Sequence, residues 1–172
     1  MKTALPAAAS TLNINVLNEL LLHSKFLSAY AFEVVSCGAG ECTVRAPYQP
    51  LLDRPGGIVS GLTYMGVADV AMWLAIMTLR GSQESWVTSD LKTAFLKSAR
   101  QEDIFCSARV LRAGKRSMYG TADCNNAAGE LLAHHVLSYA FIPEVEQVTG
   151  APAPSATPAV PPVPPAPLRP AR

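Results

Sequence analysis

The sequence predicts an α+β fold in which one long apolar helix is wrapped by a curved antiparallel β-sheet. Three observations carry this. Residues 60–80 hold no proline and a single side chain charged at pH 7 before Arg80, so they read as a helix buried on nearly every face. Four strand-like runs then follow with no helical pattern between them, which argues for antiparallel strands rather than βαβ units. A chain of 172 residues with 49% hydrophobic residues can bury a substantial core without a disulfide or metal.

Each element has its own signal. Residues 13–30 place Val16, Leu20 and Leu21 on one helical face, with Leu17 and His23 beside it. Residues 31–36 and 41–47 flank Gly38-Ala39-Gly40 and read as a β-hairpin. Residues 48–58 contain two prolines and two adjacent glycines and read as a loop. After the long helix, Gly81-Ser82 breaks the pattern. The strand runs are 85–96, 103–113, 115–124 and 131–142. Ala113-Gly114 and the stretch Asn125 to Gly129 are turns between the later ones. Residues 144–172 hold nine of the fourteen prolines, so they are expected to form a disordered, partly polyproline II tail. Residues 1–12 read as a flexible arm, which leaves 13–143 as the folded domain.

Composition narrows the function. Fourteen Lys and Arg against 13 Asp and Glu give a net charge of +1, with no electrostatic reason to expect nucleic acid or an anionic membrane. A membrane-spanning reading of 60–80 would place Asp69 near mid-bilayer at a cost of about 2.5–3.5 kcal/mol with no partner in the segment. The four cysteines, Cys37, Cys42, Cys106 and Cys124, form no CxxC pair and read as reduced thiols. With no signal-peptide pattern at the N-terminus, a cytoplasmic location is expected. No P-loop, GxGxxG or HExxH motif occurs, and neither cofactor nor metal is expected.

Asp69 is the first candidate for chemistry. An ionised carboxylate in an apolar helix requires hydrogen-bond partners, and none lies at helical spacing, so it reads equally as a catalytic acid or a structural one. The helix start, from Gly56 to Leu62, offers unpaired N–H groups and a partial positive charge. Gly61 admits a ligand to that backbone, while Ser60 is an ordinary N-cap. Gly61 and Asp69 are eight residues apart, about 12 Å along one helix axis. One helix therefore cannot bring both to the same carbonyl carbon, and a shared substrate implies two copies of the helix. Thr88 follows on the next strand, where it reads as an ordinary β-branched strand residue or as a hydroxyl that holds a water or orients a carboxylate. Asp90 shares its face by the strand period of two. Arg109, Arg112, Lys115 and Arg116 cluster at a turn and suit phosphates, or serve as a charged hairpin end. His134 and His135 alternate across a strand and read as satisfied or exposed histidines.

The runs RPGGIVSGLTYMGVADVAMWLAIM, WVTSDLKTAFLKSA and ARVLRAGKRSMYGTADCNNAAGELLAHHVLSYAFIP resemble the hotdog-fold acyl-CoA thioesterases, nearest the phenylacetate-pathway (PaaI-like) branch. The resemblance covers about residues 30–143. It implies a hotdog fold, assembled as a homodimer or dimer of dimers with active sites at the dimer interface. The family motif HGGxxxxLxD falls on Ser60-Gly61-Leu62 through Asp69, with Ser60 in place of His and Leu62 in place of the second Gly. The resemblance implies Asp69 as general base or nucleophile, the Gly61 N–H as oxyanion donor, and Thr88 as the hydroxyl that positions water. It also implies coenzyme A phosphates near Arg112, Lys115 and Arg116. Substrate contacts are expected at Ser60 and Leu62 in the motif and, by its strand face, at Asp90, which reads otherwise as a solvated strand acid. The function so implied is hydrolysis of acyl-CoA or aryl-CoA thioesters. The altered Ser60 and Leu62 positions motivate a second reading, a non-catalytic hotdog protein that binds acyl-CoA or an aromatic ligand.

Overall fold

The structure is a computed structural model and describes residues 12–143. The predicted arm at 1–12, apart from Leu12, and the predicted tail at 144–172 lie outside the described residues. Helix α1 spans Ile14–His23, and a 3-10 turn follows at Lys25–Leu27. Strands β1 (Glu33–Gly38) and β2 (Glu41–Ala46) form the expected hairpin. The predicted loop contains a 3-10 turn and a two-residue ladder of β3 (Asp53–Arg54) with β4 (Ile58–Val59). Helix α2 spans Gly61–Arg80. Strands β5 (Ser85–Phe95), β6 (Ile104–Ala113), β7 (Ser117–Asn125) and β8 (Leu131–Ile142) complete the chain.

Six strands form one antiparallel sheet in the order β1-β2-β6-β7-β8-β5. The last strand to form in sequence thus separates β7 from β5, and β5 lies at an edge. The α+β expectation of a long helix wrapped by an antiparallel sheet is what the structure shows. Twelve of the 20 residues of α2 are buried. Val67, Leu74 and Ile76 are completely buried, each worth about 1.5–3 kcal/mol relative to exposure. The helix passes the length and hydropathy criterion for a membrane span, yet two thirds of its apolar window is buried against the sheet. Leu62, Met65, Asp69 and Trp73 make the stripe that the fold leaves partly open.

Two expectations about α1 are corrected. The helix ends at His23 rather than near Tyr30, because the Ser24 hydroxyl bonds the Leu20 carbonyl at 2.8 Å and the chain tightens into the 3-10 turn. Leu17 and Leu21 form its buried face, and Val16 points to solvent. The helix is held over β1 by Asn18, whose amide both accepts from and donates to the Val34 backbone at 2.7 and 3.2 Å.

Candidate active site

Asp69 projects from the open stripe of α2 and meets two hydroxyls. Thr88 Oγ1 on β5 donates to Asp69 Oδ1 at 2.5 Å. The Tyr139 hydroxyl on β8 lies 2.6 Å from the same oxygen and 2.7 Å from the Asp69 backbone carbonyl. The two donors are neighbours because Thr88 and Tyr139 are direct partners in the β5–β8 ladder. Tyr139 is 2% exposed. Burial, and then the adjoining Asp69 charge, push its phenol well above the ordinary tyrosine range, so it stays protonated and donates. The second carboxylate oxygen, Oδ2, has no hydrogen-bond partner among the described residues and is not sealed from solvent.

Thr88 thus takes the place the sequence suggested, beside Asp69. Tyr139 was not singled out from the sequence. The alternation of 131–142 places it on the face of His135 and Leu137, and a buried phenol needs a polar partner. That was the available signal, but only the β5–β8 pairing says which partner.

Asp90 departs from expectation. A register shift at Ser89 pairs Thr88 with Tyr139 but Asp90 with Ser138. The inward parity of β5 therefore changes from even residues (Trp86, Thr88) to odd ones (Leu91, Thr93, Phe95), and Asp90 faces away from Asp69. The predicted shared face with Thr88 is broken by that inserted residue.

The helix start is fixed by three bonds from its surroundings. Val59 N donates to the Ala99 carbonyl at 3.1 Å, Ser60 N to the Leu52 carbonyl at 3.1 Å, and Ala99 N to the Tyr64 hydroxyl at 2.7 Å. Ser60 is the N-cap, accepting from Leu62 N at 3.3 Å. No acceptor among the described residues takes the Gly61 N–H. A Cβ at Gly61 would lie 3.1 Å from the Phe95 ring, so the absence of a side chain keeps that approach clear. Leu62 is 64% exposed beside it. A cleft of about 340 Å³ opens here, lined by Ile58, Gly61, Tyr64, Phe95, Leu96 and Lys97. A larger hollow of about 610 Å³ lies on the outer sheet face around Thr43, Ser107 and Asp123, away from Asp69 and Gly61.

Arg112, Lys115 and Arg116 are exposed on the β6–β7 turn. That turn is tied to the far end of α2, where Arg80 Nη2 donates to the Gly114 carbonyl at 2.6 Å. The same protomer's basic turn and Gly61 thus sit at opposite ends of the helix. Arg109 does not join the free cluster, since it pairs with Glu41 at 2.8 Å on the sheet surface. Both histidines are satisfied: His134 pairs with Asp123 at 2.6 Å, and buried His135 bonds Thr93 at 2.9 Å. Among the described residues no group of three or more His, Cys, Asp or Glu could hold a metal ion.

Residues 56–138 match the family model of the thioesterase superfamily. A protein of Saccharolobus solfataricus named as an esterase is 28% identical over 115 residues, which cover 67% of this chain and 79% of that one. Among solved structures, a thioesterase of Haemophilus influenzae superposes with TM-score 0.74 at 18% identity, covering 81% of this chain and 97% of that one. The PaaI protein of the E. coli phenylacetic acid degradation operon gives TM-score 0.64 at 15% identity, covering 76% and 96%. A Streptococcus pneumoniae thioesterase structure with coenzyme A gives 0.62 at 15% identity, covering 67% and 90%. These structures share the fold of this chain.

Proposed function

The chain belongs to the thioesterase superfamily of hotdog-fold proteins, and from that premise we propose that it hydrolyses acyl-CoA or aryl-CoA thioesters to the free acid and coenzyme A. The observation that carries the proposal is the Asp69 carboxylate, anchored through Oδ1 by Thr88 and Tyr139 and open at Oδ2. In this reading Oδ2 takes a proton from water as the water oxygen attacks the thioester carbonyl. Direct attack by Oδ2, giving an anhydride that water then cleaves, uses the same geometry. In the first route, collapse of the tetrahedral intermediate expels the thiolate, which takes up from Asp69 the proton that came from water. Thr88 has committed its proton to Asp69, so towards water it acts as an acceptor.

The oxyanion is held by the Gly61 N–H at the helix N-terminus of a second copy of the chain. Two features support that assignment. Gly61 and Asp69 are about 12 Å apart along their own helix, too far for one carbonyl. β5 is an 11-residue edge strand with exposed Val87 and Phe95, an edge of the kind that proteins cover. Thr88 lies beside Asp69 at one end of β5, and Phe95 lies over Gly61 at the other. Antiparallel pairing of two β5 strands about their midpoint would set the partner's Phe95 and Gly61 against Thr88 and Asp69. It would also bring the basic turn at Arg112, Lys115 and Arg116 towards the partner's cleft, where phosphates of a coenzyme A carrier would find cations. The Streptococcus pneumoniae neighbour with coenzyme A supports that choice of carrier.

The test is thiol release from a panel of aryl, short-chain and long-chain acyl-CoA thioesters by wild type and Asp69→Asn. The expected result is turnover on at least one member that falls by about 10³-fold or more in the variant, as for loss of a reacting group. Ligand-dependent stabilisation without turnover on any thioester would replace hydrolysis by the binding function.

A further inference from the structure

We infer that Tyr139 is a positioning residue for this reaction: with Thr88 it pins Asp69 through Oδ1 and leaves Oδ2 as the oxygen that meets water or the thioester. The inference rests on the hydrolytic reading of the site and adds to it the group that sets the carboxylate's orientation. Tyr139 is buried on β8 against α2, and its hydroxyl bonds Asp69 at the side chain and the backbone carbonyl, with the Thr88 hydroxyl beside it. Of these two acceptors the ionised oxygen takes the stronger bond, because its charge adds to the attraction. Thr88 donates to the same oxygen.

Two donors fill the lone-pair sites of Oδ1. A carboxylate turns in a broad, roughly two-fold well about its terminal torsion, so an unanchored Asp69 would spread its oxygens over many directions. The clamp removes that freedom before substrate arrives, which is how a fixed near-attack geometry contributes to rate. Tyr139 itself is closed off from solvent, with its ring in the core and its hydroxyl bonded to Asp69. Its role is therefore exercised on Asp69 alone.

The experiment compares kcat and KM for wild type, Tyr139→Phe, Asp69→Asn and the double variant, on the best thioester of the panel. Tyr139→Phe keeps the ring and removes one oxygen. The expected outcome is a fall in kcat of about 10- to 100-fold, the worth of a hydrogen bond to a charged group, with KM within about twofold. In the Asp69→Asn background the same change should cost no further rate, since the group it positions is gone. A kcat within about twofold of wild type overturns the clamp, as does an equal fractional loss with and without Asp69. Should Tyr139→Phe fail to fold, Thr88 tests the same oxygen from an exposed position. Thr88→Ser should keep kcat and Thr88→Val should lose it, and a fully active Thr88→Val would overturn the clamp. A wild type inactive on the whole panel overturns the hydrolytic reading and the role with it, an outcome distinct from an active wild type with an active Tyr139→Phe.

Discussion

Gly120 and Asp69 show how single residues constrain this molecule in different ways. Gly120 lies on β7 beneath Met72 of α2. A Cβ there would clash with the Arg109 carbonyl oxygen and with the Met72 methyl. Met72 has rotatable bonds and can yield, but the backbone carbonyl of a paired strand cannot. Gly120→Ala should therefore destabilise the fold by about 1–3 kcal/mol, read as a lower midpoint in urea denaturation at unchanged slope. Asp69 is constrained by its chemistry. The sequence makes it conspicuous, because an ionisable group in an apolar helix demands an explanation. It does not reveal Tyr139, because that contact depends on β8 lying between β7 and β5, a pairing across about 50 residues of chain.

At the scale of elements, β5 carries the site and its bulge determines which residues join it. The strand was legible from its alternation and β-branched residues, and Thr88 with it. The extra residue at Ser89 was not, because a bulge is defined by pairing against the partner strand, which the local sequence does not show. The same limit applies to the 48–58 loop. There Tyr48 donates its hydroxyl to Asp53 at 2.8 Å and its backbone N–H to Asp103 at 2.8 Å, which ties the loop to the start of β6. The Tyr48 N–H, followed by Arg45 at 2.8 Å, holds the Asp103 carboxyl below its ordinary 3.8. A carboxylate with a lowered folded-state pKa contributes stability above its unfolded value and loses it as pH falls through the folded one. The protein should therefore lose thermal stability below about pH 4, and Asp103→Asn should be less stable at neutral pH with a flatter acid limb. Thermal unfolding of both proteins between pH 2 and 7 checks this.

At the scale of the whole molecule, the fold was legible because its strongest signals are local: an apolar helix followed by a run of strands. The predicted sheet and central helix are what the structure shows, while strand order was beyond a sequence of local patterns. The proposed catalytic unit is larger still. Eight residues of helix separate the acid from the backbone donor, and the open edge of β5 offers the surface on which a second copy would supply the missing half. If the proposed shared site is correct, dilution below the dissociation constant of the assembly should reduce specific activity.

Subunit complementation tests that central claim most directly. Asp69→Asn removes the acid, and Gly61→Val fills the approach to the helix N-terminus beneath Phe95. Each variant alone should be inactive towards thioesters. Co-expressed at equal levels, they should form mixed dimers in which one of the two sites has both an intact Asp69 and an intact Gly61. Random assortment then restores roughly a quarter of wild-type activity. Co-expressed variants that assemble into mixed dimers yet stay inactive would place Asp69 and Gly61 in the same site of one chain, and would contradict the shared active site.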